Sequence, residues 1–165
     1  MDKFMIVLLM LGGYVASAGA ADAVRVPELL LYELRGNTMG GVVVFVRDAL
    51  VEGPLDIKTS KALQGELKRE LFEEGMLVVE ESCRECLFIQ PRFALHKAPG
   101  GRAVLVVLPT TLTYKGVVVA VSQERRVSMA SLGLLEDPTV VKGIVELAAY
   151  EIFKAWRQAF GPAQH

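Results

Sequence analysis

The sequence predicts an α+β fold in which a mixed β-sheet is flanked by helices and a long helix lies near the C-terminus. Three observations support this prediction. Residues 40–46 form a continuous β-branched run, leucines recur every four residues from 63 to 71, and apolar residues follow helical spacing from 141 to 159. With 165 residues, the chain is long enough to bury a hydrophobic core.

Composition narrows the classes of partner. The formal net charge is −1, so no overall field attracts the protein to nucleic acid or to an anionic membrane, and any RNA contact must come from a local patch. Hydrophobic residues make up 52% of the chain, and the mean hydropathy is +0.38. Few polar residues are then left to cover a monomer, so we expect a buried interface with a partner chain.

The first twenty residues allow two interpretations. Lys3, the apolar run at 4–11 and the small residues at 16–18 match a secretory signal peptide. The run is too short to span a bilayer, so no membrane association is expected. We favour a buried first strand, and hence a cytoplasmic protein, while export through a signal peptide stays open.

The next elements complete a small N-terminal α/β domain, predicted at 1–55. Pro27 begins a short helix that Gly36 ends, and the run "GGVVVFV" at 40–46 predicts a central strand. Periodicity is then lost over 47–57, where Gly-Pro at 53–54 marks a boundary near residue 55.

Residues 56–165 are predicted to form a second domain, built on a mixed sheet. A helix is expected over 59–75, where leucines line one face and Gly75 caps the end. Strands are predicted at 76–80, 87–95 and 102–108, whereas 114–132 fits either a strand or a helix. Asp137 and Pro138 suit the start of the long final helix, which Gly161 ends.

Motifs for metal binding or catalysis are absent from the sequence. Cys83 and Cys86 form a CxxC pair without the paired histidines of a zinc site, so two ordinary thiols are the preferred interpretation, although a disulfide is possible. A redox role is not expected, because no helix begins beside them to lower a thiol pKa. We predict no catalytic residue, no metal and no cofactor.

Two groups of charged residues are candidates for binding. His96 stands alone, without a Ser, Cys or Asp placed to pair with it. A small basic patch could bind phosphate groups. We predict that it contains Lys97, Arg102, Arg125 and Arg126. Glu136 and Asp137 complement the positive end of the final helix, and they could also insert into a basic groove of a partner.

The order of these segments resembles the C-terminal domain of archaeal tRNA-splicing endonucleases. The segments are the helix at 59–75, "GMLVV", "FALHKAPGGRAVLVVLP" at 93–109 and "VSQERRVSMASL" at 121–132. The resemblance covers residues 60–132 and implies a nuclease-like sheet. The family usually ends in strands, which differs from the helix predicted here.

The resemblance implies a subunit that does not cleave RNA. The family's catalytic tyrosine, histidine and lysine fall on His96, about Arg102 and about Arg126, and arginine does not give up a proton at ordinary pH. It also implies binding of precursor tRNA through the basic patch and His96, together with a catalytic endonuclease subunit as partner. Glu136 and Asp137 lie where the family locks into that partner.

A second hypothesis uses the same residues without RNA. The chain would be an α+β interaction protein, a homodimer joined through the long C-terminal helix. A third hypothesis is a secreted domain with a Cys83–Cys86 bond.

Overall fold

A computed structural model describes residues 42–160 as nine strands and two α-helices. The strands are β1 (Val43–Val46), β2 (Leu50–Glu52), β3 (Leu77–Val78), β4 (Leu87–Gln90), β5 (Arg92–Lys97), β6 (Ala103–Val107), β7 (Thr111–Tyr114), β8 (Val117–Val121) and β9 (Arg125–Met129). The helices are α1 (Ile57–Glu73) and α2 (Pro138–Phe160), with short 3-10 turns at Pro99–Gly101 and Leu132–Glu136. This architecture confirms the predicted α+β class.

The strands form a five-stranded sheet in the order β3-β1-β4-β7-β8 and a four-stranded sheet in the order β2-β5-β6-β9. Each strand of the four-stranded sheet directly precedes or follows its counterpart in the other sheet, in the pairs β1/β2, β4/β5, β7/β6 and β8/β9. Backbone hydrogen bonds span the junction, from Leu50 N to Pro91 O at 3.0 Å and from Ser122 N to Thr110 O at 2.9 Å. The two sheets are therefore two halves of one interrupted layer.

The interruptions have local causes. Pro91 has no N–H to donate and separates β4 from β5, so the single strand predicted over 87–95 is two strands. On the neighbouring pair, Thr110 N donates to the Ser122 hydroxyl at 2.8 Å instead of to a strand carbonyl. The side-chain bond satisfies a buried amide where the strands break.

Helix α1 matches the predicted leucine helix, displaced by two residues. Asp56 caps it, because its carboxylate accepts a hydrogen bond from Thr59 N at 2.6 Å. Leu63, Leu67 and Leu71 are buried in the core shared with both sheets. Gly75 follows with φ of 92°, a conformation that glycine adopts without strain.

Helix α2 confirms the predicted final helix and its start. Asp137 accepts a hydrogen bond from Thr139 N at 2.9 Å, ahead of Pro138 in the first turn. Its apolar side packs on α1 and on strands β8 and β9. The buried residues of this side are Val141, Ile144, Val145, Ala148, Ala149, Ile152, Ala155, Trp156 and Phe160. That side is therefore filled within the chain.

Residues 42–55 belong to the same layer as the rest of the described chain. Strand β1 pairs with β4, and β2 pairs with β5, both in parallel. The ambiguous segment at 114–132 contains β8 and β9. The predicted strand at 4–11 and helix at 27–36 lie outside the described residues.

Within residues 42–160, neither helix combines the length and the apolar content needed to cross a membrane.

Candidate interaction surfaces

Strand alternation divides the predicted basic patch between two faces of the four-stranded sheet. His96 pairs across β6 with Ser128, and Arg126 pairs across β6 with Ala94, so both lie on the outer face, away from the helices. Lys97 and Arg125 occupy the alternate positions. Of the five predicted RNA-binding residues, the structure brings His96 and Arg126 to one sheet face.

Arg102 lies beside this face but not on a strand. It follows the 3-10 turn Pro99–Gly101, and its carbonyl accepts a hydrogen bond from Ala98 N at 2.8 Å. The side chains of Arg102 and His96 are exposed. The loop therefore places a cation near the end of β5.

Arg125 contacts a carboxylate that is not among the predicted site residues. Its Nε donates to Oε1 of Glu151 at 2.8 Å, and Glu151 is only 1% exposed on α2. The second carboxylate oxygen of Glu151 has no hydrogen-bond partner. Position 151 lies three residues after Ala148 and four before Ala155, on the apolar side of the helix. An acidic residue on that side is the sequence signal that could have identified Glu151. Arg125 therefore balances a buried charge.

Glu136 and Asp137 lie at the start of α2. Asp137 caps the helix, and Glu136 borders an open cleft of about 240 Å³ beside the N-terminus of α1. Leu55, Asp56 and Leu95 also line this cleft. The predicted contact of the two acids with a partner stays a prediction.

No cluster of metal-binding side chains is found among residues 42–160. No group of three or more His, Cys, Asp or Glu side chains in this range could hold a metal ion. His96 is exposed at the end of β5, opposite Val104 rather than an acidic residue.

The outer face of the five-stranded sheet carries a mostly apolar row. Cross-strand register aligns Phe45, Phe88, Thr113 and Val118 in one row across four strands. Val43 and its partner Leu77 extend this surface to the edge, where Leu77 is 56% exposed. We call these six residues the phenylalanine face.

The two phenylalanines form the centre of this face. Their rings meet edge to face, with centroids 5.6 Å apart. The guanidinium carbon of Arg47 lies 4.6 Å from the centre of the Phe88 ring, which is a cation–π contact. The result is an apolar surface with one exposed cation stacked at its centre.

The sequence contained a signal for this surface. Residues 43–46 are apolar at both alternating positions, a pattern typical of a strand covered on both faces. Val44 and Val46 join the core with both helices, whereas Phe45 does not. Among residues 42–160, the helices cover only one face of β1.

The CxxC pair corrects the preference for ordinary thiols. Cys83 and Cys86 form a disulfide, and neither cysteine is free. Cys86 N also donates to Cys83 O at 3.3 Å, which closes a tight turn before β4. Closing so short a loop contributes about 2 kcal/mol in the chain-entropy model, near the low end for disulfides.

Comparison with known proteins finds structural likenesses at low sequence identity. No protein-family model and no curated protein matches the chain. A minor lipoprotein from Acinetobacter baumannii is 15% identical, with a TM-score of 0.38, over 65% of this chain and 93% of that one. The crystal structure of an uncharacterised protein is 14% identical, with a TM-score of 0.45, over 72% of this chain and 95% of that one. At these TM-scores, neither likeness assigns a function.

Proposed function

We propose that the chain is a non-catalytic subunit of a heteromeric protein assembly and that a partner protein docks on the phenylalanine face. The observation that carries this proposal is the row formed by Phe45, Phe88 and Val118 on the sheet face opposite both helices. This row is apolar except for Thr113, which lies between Phe88 and Val118. Leaving such a row in water is costly, so surfaces of this kind usually mark interfaces.

Charge favours a different protein over a second copy. Arg47 is stacked on Phe88 at the centre of the face, and none of the six residues of the face is acidic. Two copies packed face to face would bring two arginines together without a counterion. A partner with an apolar surface and a carboxylate opposite Arg47 satisfies both the rings and the cation.

The experiment compares variants of the whole chain for binding to one partner. The protein is purified with its partner from source cells, and the affinity of the separated pair is measured by calorimetry. We expect Phe88→Asp and Arg47→Glu to weaken binding roughly hundredfold, because central aromatic and arginine residues dominate interface energies.

Ile57→Asp is the matched control. Ile57 is 75% exposed on α1, away from the phenylalanine face, so this variant should bind as wild type does. Circular dichroism checks that each variant folds, and Arg47→Glu remains informative if Phe88→Asp does not. Unchanged affinity in both face variants, or a homodimer that Arg47→Glu disrupts, would overturn the proposal.

A second candidate is the structural subunit of a tRNA-splicing endonuclease. Support comes from the segments of the resemblance, since α1, β3 and β4–β6 belong to one sheet-and-helix unit, with His96 and Arg126 on one sheet face. The chain alone should then cut no precursor tRNA, and cleavage should appear only with a catalytic subunit.

Two sets of variants test this candidate. His96→Ala with Arg126→Ala should weaken precursor-tRNA binding and reduce its salt dependence. Reversing Glu136 and Asp137 to lysine should weaken pairing with the catalytic subunit. RNA binding that is identical in wild type and the double variant would remove this candidate.

Cellular location tests the second candidate. An endonuclease subunit would be cytoplasmic, whereas the Cys83–Cys86 disulfide favours an oxidising compartment. Cell fractionation with N-terminal sequencing separates these locations. A mature chain that starts after the small residues at 16–18 would favour export.

A further inference from the structure

The two sulfurs of the CxxC turn differ in their access to solvent. Cys86 is completely buried immediately before β4, whereas Cys83 is exposed at the other end of the turn. An incoming thiolate must reach a sulfur along the axis of the disulfide bond, and only the Cys83 sulfur belongs to an exposed residue. Any exchange would therefore occur at Cys83.

The fold adds cations near this turn. Arg84 and Glu85, the residues between the two cysteines, line an open cleft of about 390 Å³ with Lys115 and Gly116. Lys115 and Gly116, with φ of 49° and 77°, form the tight turn of the β7–β8 hairpin. This turn borders the same cleft as the CxxC turn. Arg84 and Lys115 favour the thiolate form of a nearby cysteine, whereas Glu85 and Glu81, two residues before Cys83, oppose it.

We propose that Cys83–Cys86 is a redox-active disulfide that oxidises a dithiol presented at this cleft. One thiolate of the dithiol attacks the Cys83 sulfur, forms a mixed disulfide and releases Cys86. The second thiolate then attacks the dithiol sulfur bound to Cys83, so the dithiol leaves as a disulfide and Cys83 is reduced. The two thiol protons finish on Cys83 and Cys86, and two electrons pass to the protein.

The number of cysteines limits the products of this exchange. Cys83 and Cys86 are its two cysteines, so reduction cannot lead to an alternative internal disulfide. The bond joins residues three positions apart, so its reduction frees only one turn while the core cluster of strands and helices stays closed. The reduced protein should therefore remain folded.

The experiment treats the full chain with dithiothreitol under native conditions. Alkylation with iodoacetamide and mass spectrometry report the two thiols, and far-UV circular dichroism reports the fold. We expect full reduction without loss of secondary structure, at a reduction potential above the range of resistant structural disulfides.

Single-cysteine variants test the direction of exchange. Cys86→Ser, which leaves exposed Cys83, should form a mixed disulfide with oxidised glutathione at least roughly tenfold faster than Cys83→Ser, which leaves buried Cys86. Arg84→Glu in the Cys86→Ser background should slow that reaction. A disulfide that resists dithiothreitol until the chain unfolds, or equal rates in the two cysteine variants, would overturn the proposal.

Discussion

The outer faces of the two sheets differ although the same chain segments run through both. On the four-stranded sheet, charged side chains pair with each other, as Arg92 does with Glu52 at 3.7 Å and Arg126 with Glu124 at 3.5 Å. On the five-stranded sheet, the corresponding surface carries Phe45 and Phe88. The outer face of the four-stranded sheet thus carries ion pairs beside the buried side chains of Ala94 and Val106, whereas the other outer face carries an edge-to-face pair of aromatic rings.

Strand direction gives a physical reason for this difference. Strand β1 has parallel neighbours on both sides, and such strands are generally covered on both faces. In the four-stranded sheet, β5, β6 and β9 are antiparallel, which permits one solvated face. The apolar row thus begins on a strand whose two neighbours are parallel, whereas His96 and Arg126 lie on strands that are antiparallel to their neighbour β6.

The largest expected change in stability comes from a residue on the inner face of β9. Arg125→Ala should destabilise the fold by about 2 to 3 kcal/mol, because it leaves the Glu151 carboxylate buried without its cation. Arg126→Ala, the same change on the outer face, should cost less than about 0.5 kcal/mol. Urea unfolding measures both.

Adding Glu151→Gln to Arg125→Ala should restore part of the lost stability, since a neutral amide is less costly to bury than an unpaired charge. Equal destabilisation by Arg125→Ala and Arg126→Ala would show that the two sides of the strand do not differ as described.

Substitutions on the two outer faces should have an intermediate effect on stability. Phe88→Ala removes the ring contact with Phe45 and the stacked Arg47, and we expect a loss of about 1 to 2 kcal/mol in the free energy of unfolding. Arg92→Ala on the other sheet should change it by less than about 0.5 kcal/mol. Thermal denaturation of both variants tests the comparison, which fails if Arg92→Ala is the more damaging change.

The smallest effect concerns α1, which supports both sheets. The backbone and side chain of Thr59 hydrogen-bond to Asp56 and lower the pKa of its carboxyl below 3.8. A lowered pKa in the folded state means that the charged cap stabilises above the ordinary pKa and that this contribution is lost as pH falls through the folded value. Asp56→Ala should therefore lower the melting temperature at pH 7 but have less effect in acid.

Asp56→Asn provides the control, because asparagine caps a helix without titrating. Its melting temperature should stay close to that of wild type at pH 7. If the difference between wild type and Asp56→Ala persists unchanged at low pH, the charged cap is not its source.

Local sequence signals predicted α1 and α2 well. The leucine repeat and the Asp137-Pro138 start depend on residues within a few positions of each other, and both helices formed there. The candidate site was predicted less well. Glu151 was missed because a helix pattern does not show which strand residue it will face, and Arg125 is 26 positions away.

The sequence by itself determined the α+β class, the two helices and an apolar run in β1, because hydrophobic periodicity and capping act over short distances. Only the tertiary structure decided which face of each strand meets the helices. Strand pairing joins residues far apart in the chain and placed Phe45 beside Phe88. The packing of α2 on the sheet placed Glu151 beside Arg125, and the folding of the β7–β8 hairpin placed Lys115 beside the CxxC turn.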